Sequence, residues 1–449
     1  MGIVHRHPKG APMSIAAGNS LENHWLPFTA NRDFKADPRL MVKAEGVYYW
    51  NHKGGRLIDG SAGLFCSAAG HGRKEIAEAV YKSMLELDYT PPFQLAHPAS
   101  FELARKVAAL MPGDLDYVFF CNSGSESIDT AIKIALAYHR SRGEGQRQRF
   151  VSRERAYHGV NIGGVSLSGM VRNRETFGAV MPGVAHMRHT WLPETRYTMG
   201  QPETGAELAD DLQRFVDLYG ASTIAACVVE PIAGSTGVLV PPKGYLERLR
   251  QICDKHGILL VFDEVICGFG RTGKAFAAQS FGVVPDMITM AKALTNGAQP
   301  MGAVAVSERI YSSIVDNAAP GGVELFHGYT YSAHPAACAA GIAALDIYER
   351  EGLFERAAEL SPYFLERVFA LRDVKQITDI RGFGLLAGFD LAPGERPGAR
   401  GYEATKKLFA AGMHIKFTGD SGILAPAFVA EKKHIDEMCR LLREVISAM

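Results

Sequence analysis

The chain has 449 residues, with 48 Lys and Arg against 48 Asp and Glu, so its formal net charge is zero. A chain with balanced charge has no excess of basic residues to attract a polyanion, so we expect neither nucleic-acid nor membrane binding. The length allows roughly two to three domains. The seven scattered cysteines lack C-x-x-C spacing, which predicts neither disulfides nor a metal site and favours a cytoplasmic protein.

The N-terminal region is predicted to contain short strands and turns. The first 20 residues resemble a loose arm. The pattern at residues 46–50 indicates a short strand, and residues 51–55 predict a hairpin-like turn after it. Residues 61–72 are rich in small side chains. Such a loop lets a ligand approach the backbone, and a tightly packed structural loop has the same composition.

A turn between a strand and a helix is the first candidate site. Residues 115–121 predict a strand and residues 127–140 an amphipathic helix, and Ser123, Gly124, Ser125 and Glu126 between them match a capping box. The free N–H groups and the dipole at such a helix start also attract anions, which makes this turn a candidate phosphate site. A well-capped helix without a ligand explains the pattern equally.

Strand and helix patterns then alternate, which indicates an α/β fold with a mostly parallel sheet covered by helices. A long helix over residues 336–350 leads into a segment of mixed order, which predicts a smaller α+β domain completed by the N-terminal segment. The expected division is 1–72, 73–340 and 341–449. The predicted strands lie at residues 149–151, 164–167, 223–229, 258–262, 287–291 and 302–306.

Two carboxylates follow the apolar strand at residues 258–262, namely Asp263 and Glu264. In open α/β sheets, ligands bind at the carboxyl ends of the strands. A carboxylate there can pair with a pyridinium nitrogen, the partner that pyridoxal phosphate requires to act as an electron sink. A helix cap or a metal ligand is the alternative for Asp263.

A single lysine, Lys292, ends the apolar run at residues 287–291. Burying an ammonium group is costly, so the side chain either reaches water or serves a function. The functional hypothesis is a lysine that forms a Schiff base with a carbonyl cofactor, its pKa lowered by an apolar site.

Together with a Tyr-His-Gly motif, these features resemble the class III (ω-) aminotransferases of pyridoxal phosphate fold type I. The resemblance extends from about His24 to the C-terminus and is strongest to the ω-amino acid:pyruvate (β-alanine:pyruvate) enzymes. The matching motifs are Asn-Ser-Gly-Ser-Glu (122–126), Tyr-His-Gly (157–159), Val-Glu-Pro (229–231), Phe-Asp-Glu-Val-Ile (262–266), Ala-Lys (291–292) and Gly-Tyr-Thr-Tyr-Ser (328–332).

The resemblance implies that the fold type I architecture, with a seven-stranded sheet in the large domain, binds pyridoxal 5'-phosphate. Lys292 would form the Schiff base and then act as the base, and Asp263 would keep the pyridine nitrogen protonated. Thr330 would contact the phosphate of the neighbouring subunit in a homodimer or a larger assembly. The implied cofactor contacts are Ser123, Gly124, Ser125, Tyr157, His158, Glu230, Asp263, Val265, Lys292 and Thr330.

The resemblance also implies substrate contacts, with no metal. Trp25, Phe28 and Phe65 are expected to line the substrate pocket, with core packing as the alternative. The family usually binds the substrate carboxylate with an arginine, and here the matching position is Lys416. A lysine offers a point charge instead of a bidentate fork, so carboxylate recognition is expected to be altered.

The implied reaction is transamination from an ω-amino acid or amine, such as β-alanine, to pyruvate. Other enzymes of the same fold remain open: γ-aminobutyrate or ornithine aminotransferases, a glutamate semialdehyde aminomutase and a dialkylglycine decarboxylase. A non-catalytic binding homologue is the alternative from another class, and the presence of Lys292 and Asp263 argues against it.

Overall fold

The computed structural model describes residues 21–178 and 180–449, so the predicted arm over residues 1–20 lies outside the described residues. The strands are β1 (Met41–Glu45), β2 (Tyr48–Asn51), β3 (Arg56–Asp59), β4 (Tyr117–Cys121), β5 (Arg149–Arg153), β6 (Val184–Met187), β7 (Ile224–Val229), β8 (Leu259–Asp263), β9 (Met287–Met290), β10 (Gly302–Val306), β11 (Ile377–Phe383), β12 (Leu386–Leu391), β13 (Met413–His414), β14 (Lys416–Thr418) and β15 (Ser421–Leu424).

Helices cover the sheets and connect their strands. They are α1 (Asn31–Ala36), α2 (Ala62–Phe65), α3 (Lys74–Glu86), α4 (Pro98–Ala108), α5 (Gly124–Ser141), α6 (Ile162–Leu167), α7 (Val171–Phe177), α8 (Asp210–Tyr219), α9 (Tyr245–His256), α10 (Ala277–Phe281), α11 (Glu308–Asp316), α12 (Pro335–Arg350), α13 (Leu353–Phe369), α14 (Ala399–Ala410) and α15 (Lys432–Ser447). Of the described helices, none is both long and apolar enough to cross a lipid bilayer.

The largest sheet has seven strands in the order β4-β10-β9-β8-β7-β5-β6. Only β10 runs antiparallel to its neighbours, so the predicted seven-stranded, mostly parallel sheet is confirmed. All residues of β7 and β8 are buried, because helices cover both faces of the sheet. The continuous apolar runs of these strands therefore follow from their central position.

One predicted strand is wrong. Residues 164–167 belong to helix α6, which begins after Asn161, and the N–H of Val165 donates to the carbonyl oxygen of Asn161 at 2.8 Å. A short apolar run suits a buried helix as well as a buried strand, and periodicity alone does not separate the two. Both edges of β5 are already paired, with β6 and β7, so no place beside it is left for another strand.

Two four-stranded sheets lie outside the central sheet, in the orders β1-β2-β3-β13 and β11-β12-β15-β14. Strand β3 pairs in parallel with β13, which joins Ile58 to Met413 and Asp59 to His414 in register. On this pairing we propose that the described part of the N-terminal segment, residues 21–72, completes the smaller domain at 341–449. The predicted hairpin is confirmed by the antiparallel pairing of β2 with β3.

A buried arginine joins the loop after β8 to the C-terminal region. The guanidinium of Arg271 donates to the carbonyl oxygens of Leu385 (3.2 Å) and Pro426 (2.6 Å), and the N–H of Leu385 donates back to the Arg271 carbonyl. Burial lowers the pKa of Arg271 to about 10. These bonds fix the sheet that carries Lys416 relative to the central sheet.

Candidate active site

The candidate residues lie at one edge of the central sheet. Each follows the carboxyl end of a strand: residues 123–125 follow β4, Tyr157 and His158 follow β5, and Glu230 follows β7. Asp263 ends β8 and Lys292 follows β9. Because these five strands run in parallel, their carboxyl ends meet at the edge where ligands bind in α/β sheets.

Asp263 is held by its neighbours in a buried position. Its side chain is 5% exposed, and one carboxylate oxygen lies 2.8 Å from Nδ1 of His158 while the other accepts the N–H of Val265 at 3.1 Å. These two contacts fix the orientation of the carboxylate. Nε2 of His158 is buried without a partner among the described residues, as at a site completed by water or a ligand.

Glu230 supports the loop that carries Tyr157. One of its carboxylate oxygens accepts the N–H of Tyr157 and the other that of Gly234, both at 3.0 Å. Burial, with a smaller contribution from nearby Asp263, raises the pKa of Glu230 to about 7. Burial also raises the pKa of Tyr157. A second acidic group thus lies close to Asp263, and its pKa falls in the neutral range.

The start of helix α5 has half of the predicted capping box, because the Glu126 carboxylate bonds the N–H of Asn122 and not that of the N-cap residue Ser123. Oγ of Ser123 accepts the N–H of Glu126 at 3.2 Å, and the Glu126 carboxylate accepts the N–H of Asn122 at 2.7 Å. The N–H groups of Gly124 and Ser125 have no acceptor within the helix, because they belong to its first turn. Together with the helix dipole, these two donors form a site for an anion.

Two glycines allow the loops around this helix start to meet. A Cβ atom on Gly124 would lie 3.0 Å from Cγ1 of Val265, and a Cβ atom on Gly159 would lie 2.5 Å from Oγ of Ser125. The Ser125 hydroxyl accepts the N–H of Val160 at 3.0 Å. We call the start of α5 and the two loops that pack against it the cradle. A larger residue at either glycine would push these segments apart, so glycine is needed for this arrangement.

Lys292 begins a 3₁₀ turn, Lys292–Thr295, and has a φ of 50°, a strained value for a side chain other than glycine. Its Nζ makes no ion pair among the described residues and lies 6.0 Å from the centre of the Phe65 ring. Phe65 itself is only 2% exposed. The amine therefore lies near an aromatic ring, and no carboxylate among the described residues pairs with it.

Lys416 lies on β14, close to Lys292. Its backbone N–H donates to Oγ of Ser61 at 2.9 Å, and its ammonium makes no hydrogen bond or ion pair among the described residues. Burial, and then the charge of Lys292, lowers the pKa of Lys416. An ammonium group without a counterion among the described residues favours an anionic ligand beside it.

The structure does not bring every predicted residue to this edge. Trp25 and Phe28 are 88% and 79% exposed in a single chain. Thr330 is also exposed, and its carbonyl oxygen accepts the hydroxyl of Tyr89 at 3.0 Å. No hydrogen bond or ring contact joins these three to Lys292 or Asp263. Among the described residues, no group of three or more His, Cys, Asp or Glu is arranged to hold a metal ion.

Sequence reasoning missed three residues that support the site. Asp59 and His71 form a pair at 2.8 Å, and the side chain of Asn296 bonds to both Ala69 and Gly70. Asp59 ends strand β3, and a carboxylate at the end of a predicted strand is a sequence signal that could have marked it as a candidate site residue. The role of Asn296 depends on contacts across more than 200 residues, which periodicity does not reveal.

The family profile described as "Aminotransferase class-III" matches residues 29–446. The chain therefore belongs to the class III aminotransferases. Enzymes of this family depend on pyridoxal phosphate.

Three similar proteins carry names that are more specific than the family description. The chain is 53% identical to an omega-aminotransferase of Caulobacter vibrioides, over 95% of this chain and 98% of that protein. It is 47% identical to a beta-alanine–pyruvate aminotransferase of Pseudomonas aeruginosa, over 98% of this chain and 99% of that protein. The solved omega transaminase of Pseudomonas jessenii in complex with PMP superposes with a TM-score of 0.88 at 31% identity, over 94% of this chain and 95% of that chain.

Proposed function

We propose that this chain transfers an amino group from an ω-amino acid or amine, such as β-alanine, to pyruvate, with pyridoxal 5'-phosphate as cofactor. The products are an aldehyde or ketone and alanine. The observation that carries the proposal is the convergence of Lys292, Asp263 and the start of α5 at one sheet edge. Similarity to a beta-alanine–pyruvate aminotransferase over nearly the whole chain supports the substrates.

The residues present suit the cofactor. The free N–H groups of Gly124 and Ser125 and the Ser125 hydroxyl would hold the phosphate, and Asp263 would pair with the pyridine nitrogen. Tyr157 and Val265 would contact the two faces of the ring, and Ser123, His158 and Glu230 would support these groups. When bound, the cofactor supplies an aldehyde that accepts the substrate nitrogen and a ring that withdraws electrons from the substrate carbon.

Lys292 has two tasks in this proposal. Its Nζ would hold the cofactor in the resting enzyme, and once free it would take a proton from the carbon that carries the amino group. The Nζ is available for both tasks, because it makes no ion pair or hydrogen bond among the described residues.

Lys416 would bind the carboxylate of pyruvate or of the ω-amino acid. Its ammonium has no protein partner among the described residues, and a substrate carboxylate would supply the missing counterion. A lysine makes a point contact, so the orientation of the carboxylate would be less restricted than on the arginine that the family usually carries. Phe65 would line the pocket beside it.

We further propose that the active unit is a homodimer or a tetramer built from dimers. Thr330 is flanked by exposed apolar side chains: Val323 is 58% exposed, Phe326 95% and Tyr331 59%. Such a patch marks an interaction surface. In a second copy, Thr330 would reach the neighbouring phosphate, and Trp25 and Phe28 would complete the substrate pocket. All seven cysteines are free thiols, which supports a reducing cytoplasm.

A donor screen tests the proposal. The cofactor-loaded enzyme is incubated with pyruvate and β-alanine, γ-aminobutyrate, ornithine or a neutral amine, and alanine is measured, with Lys292→Ala as the control. Alanine formed from ω-amino acids supports the proposal. Glutamate formed from 2-oxoglutarate in place of pyruvate, without any alanine from pyruvate, contradicts it. Carbon dioxide release from γ-aminobutyrate, whose oxo product does not decarboxylate by itself, or turnover without a keto acid also contradicts it.

A further inference from the structure

The loop that carries Phe65 has an unusual backbone. Ala62, Gly63 and Phe65 have φ values of 45°, 70° and 65°, so two side chains other than glycine lie in the left-handed region. Such a strained backbone persists only when its surroundings fix it. Something must therefore hold this loop in place.

Asp59 is the group that holds it. The side chain is 1% exposed, and its carboxylate accepts the N–H of Ser61 at 3.1 Å and the N–H of Gly63. Nε2 of His71 lies 2.8 Å from the same carboxylate, so the pair joins the residue before the loop to one that follows it. The ring of Tyr49 packs on His71 with 4.4 Å between centres. The carboxylate is thus fully enclosed and has no path to a substrate.

The same loop is hydrogen-bonded to the two segments that carry Lys416 and Lys292. Oγ of Ser61 accepts the backbone N–H of Lys416 and donates to the carbonyl of Ile423, both at 2.9 Å. At the other end, the side chain of Asn296, four residues after Lys292, accepts the N–H of Ala69 at 2.8 Å. The position of the loop therefore decides where the Phe65 ring lies relative to Lys292 and Lys416.

We infer that Asp59, with His71 as its partner, is a positioning residue that fixes Phe65 beside Lys292 and so sets the size of amine donor that the pocket accepts. This inference rests on the proposed function, because it assumes that Phe65 lines the substrate pocket. Asp59 acts through the backbone of the loop and contacts neither substrate nor cofactor. Losing one of its bonds releases the strained residues and lets the ring move.

The test is a double-mutant cycle with donor size as the readout. kcat/KM is measured with pyruvate for a small and a bulky amine donor in the wild type, Asp59→Asn, Phe65→Ala and the double variant. The amide of Asn replaces one acceptor by a donor at nearly the same volume. We expect Asp59→Asn and Phe65→Ala each to reduce the preference for the small donor about tenfold or more, as loss of a charge-assisted hydrogen bond allows. In the double variant we expect no further change beyond Phe65→Ala.

Two comparisons separate positioning from general damage. Asp211 is a carboxylate as buried as Asp59, and it pairs with Arg188. We expect Asp211→Asn to leave the donor preference unchanged. His71→Phe removes the partner of Asp59, and if Asp59→Asn does not fold, the cycle is run with this variant. Equal losses for small and bulky donors, or additive effects in the double variant, overturn the inference. If Phe65→Ala alone leaves the preference unchanged, the proposed pocket is wrong and the inference falls with it.

Discussion

Nδ1 of His158 lies 2.8 Å from the carboxylate of Asp263, and both side chains are buried. The pair fixes the orientation of the Asp263 carboxylate, because the imidazole holds one carboxylate oxygen and the N–H of Val265 holds the other. The function of Asp263 therefore depends on its neighbour.

We predict that His158→Phe lowers kcat about 10- to 100-fold, the effect expected for loss of one hydrogen bond to a buried charge. Steady-state kinetics with β-alanine and pyruvate measure it. The control is His139→Phe, since His139 is also buried and its Nδ1 lies 3.1 Å from the Glu144 carboxylate, near the C-terminal end of helix α5 and far along that helix from Ser123. Equal losses in both variants would refute a specific role for His158.

We predict that Gly159→Ala weakens pyridoxal phosphate binding by about tenfold or more. The added methyl group would lie 2.5 Å from Oγ of Ser125 and would displace the start of α5. Fluorescence titration of the apoenzyme measures the dissociation constant. The control is Gly143→Ala, because Gly143 also has a positive φ of 77° but nothing within 4 Å. Similar weakening in the control would assign the effect to backbone strain instead of the cradle.

We predict that Lys416→Met raises the KM for pyruvate about tenfold or more and leaves the KM for neutral amines unchanged, because only a carboxylate loses its counterion. Lys416→Arg should retain pyruvate binding. Steady-state kinetics with each substrate varied in turn provide the measurement. An unchanged KM for pyruvate in Lys416→Met would remove Lys416 from the substrate site.

The same Lys416→Met variant should stabilise the apoenzyme, and the gain should depend on pH. Burial lowers the pKa of Lys416, so the folded protein binds its proton less tightly than the unfolded chain does. The gain is therefore absent above the unfolded pKa of about 10.4 and grows as the pH falls through that value toward the lower folded pKa. Scanning calorimetry should give a rise of about 1–2 °C at pH 7, and a lower melting temperature would contradict the prediction.

We predict that Phe326→Asp separates the subunits and lowers activity, because Phe326 is 95% exposed in one chain and lies close to Thr330. Sedimentation velocity measures the oligomeric state. The control is Leu218→Asp on helix α8, where an apolar side chain is 69% exposed away from Thr330. A dimer that persists in Phe326→Asp would show that this patch is not the interface.

Much of the fold follows from the sequence, because apolar runs and strand ends are local features. The strand before Asp263, the strand before Lys292 and the N-cap at Ser123 are each decided by a few neighbouring residues. The helix at residues 162–167 was misassigned, since a short apolar run has no distinct period. The Asp59–His71 pair and the bond between Ser61 and the strand of Lys416 arise only when distant segments pack together.

The central claim is that Lys292 carries the cofactor. Borohydride reduction of the enzyme loaded with pyridoxal phosphate, followed by trypsin digestion and mass spectrometry, tests it directly. We predict an uncut peptide over residues 275–309 that carries a phosphopyridoxyl group on Lys292, since trypsin does not cleave at a modified lysine. A label on Lys416 or another lysine, or no label at all, would contradict the account.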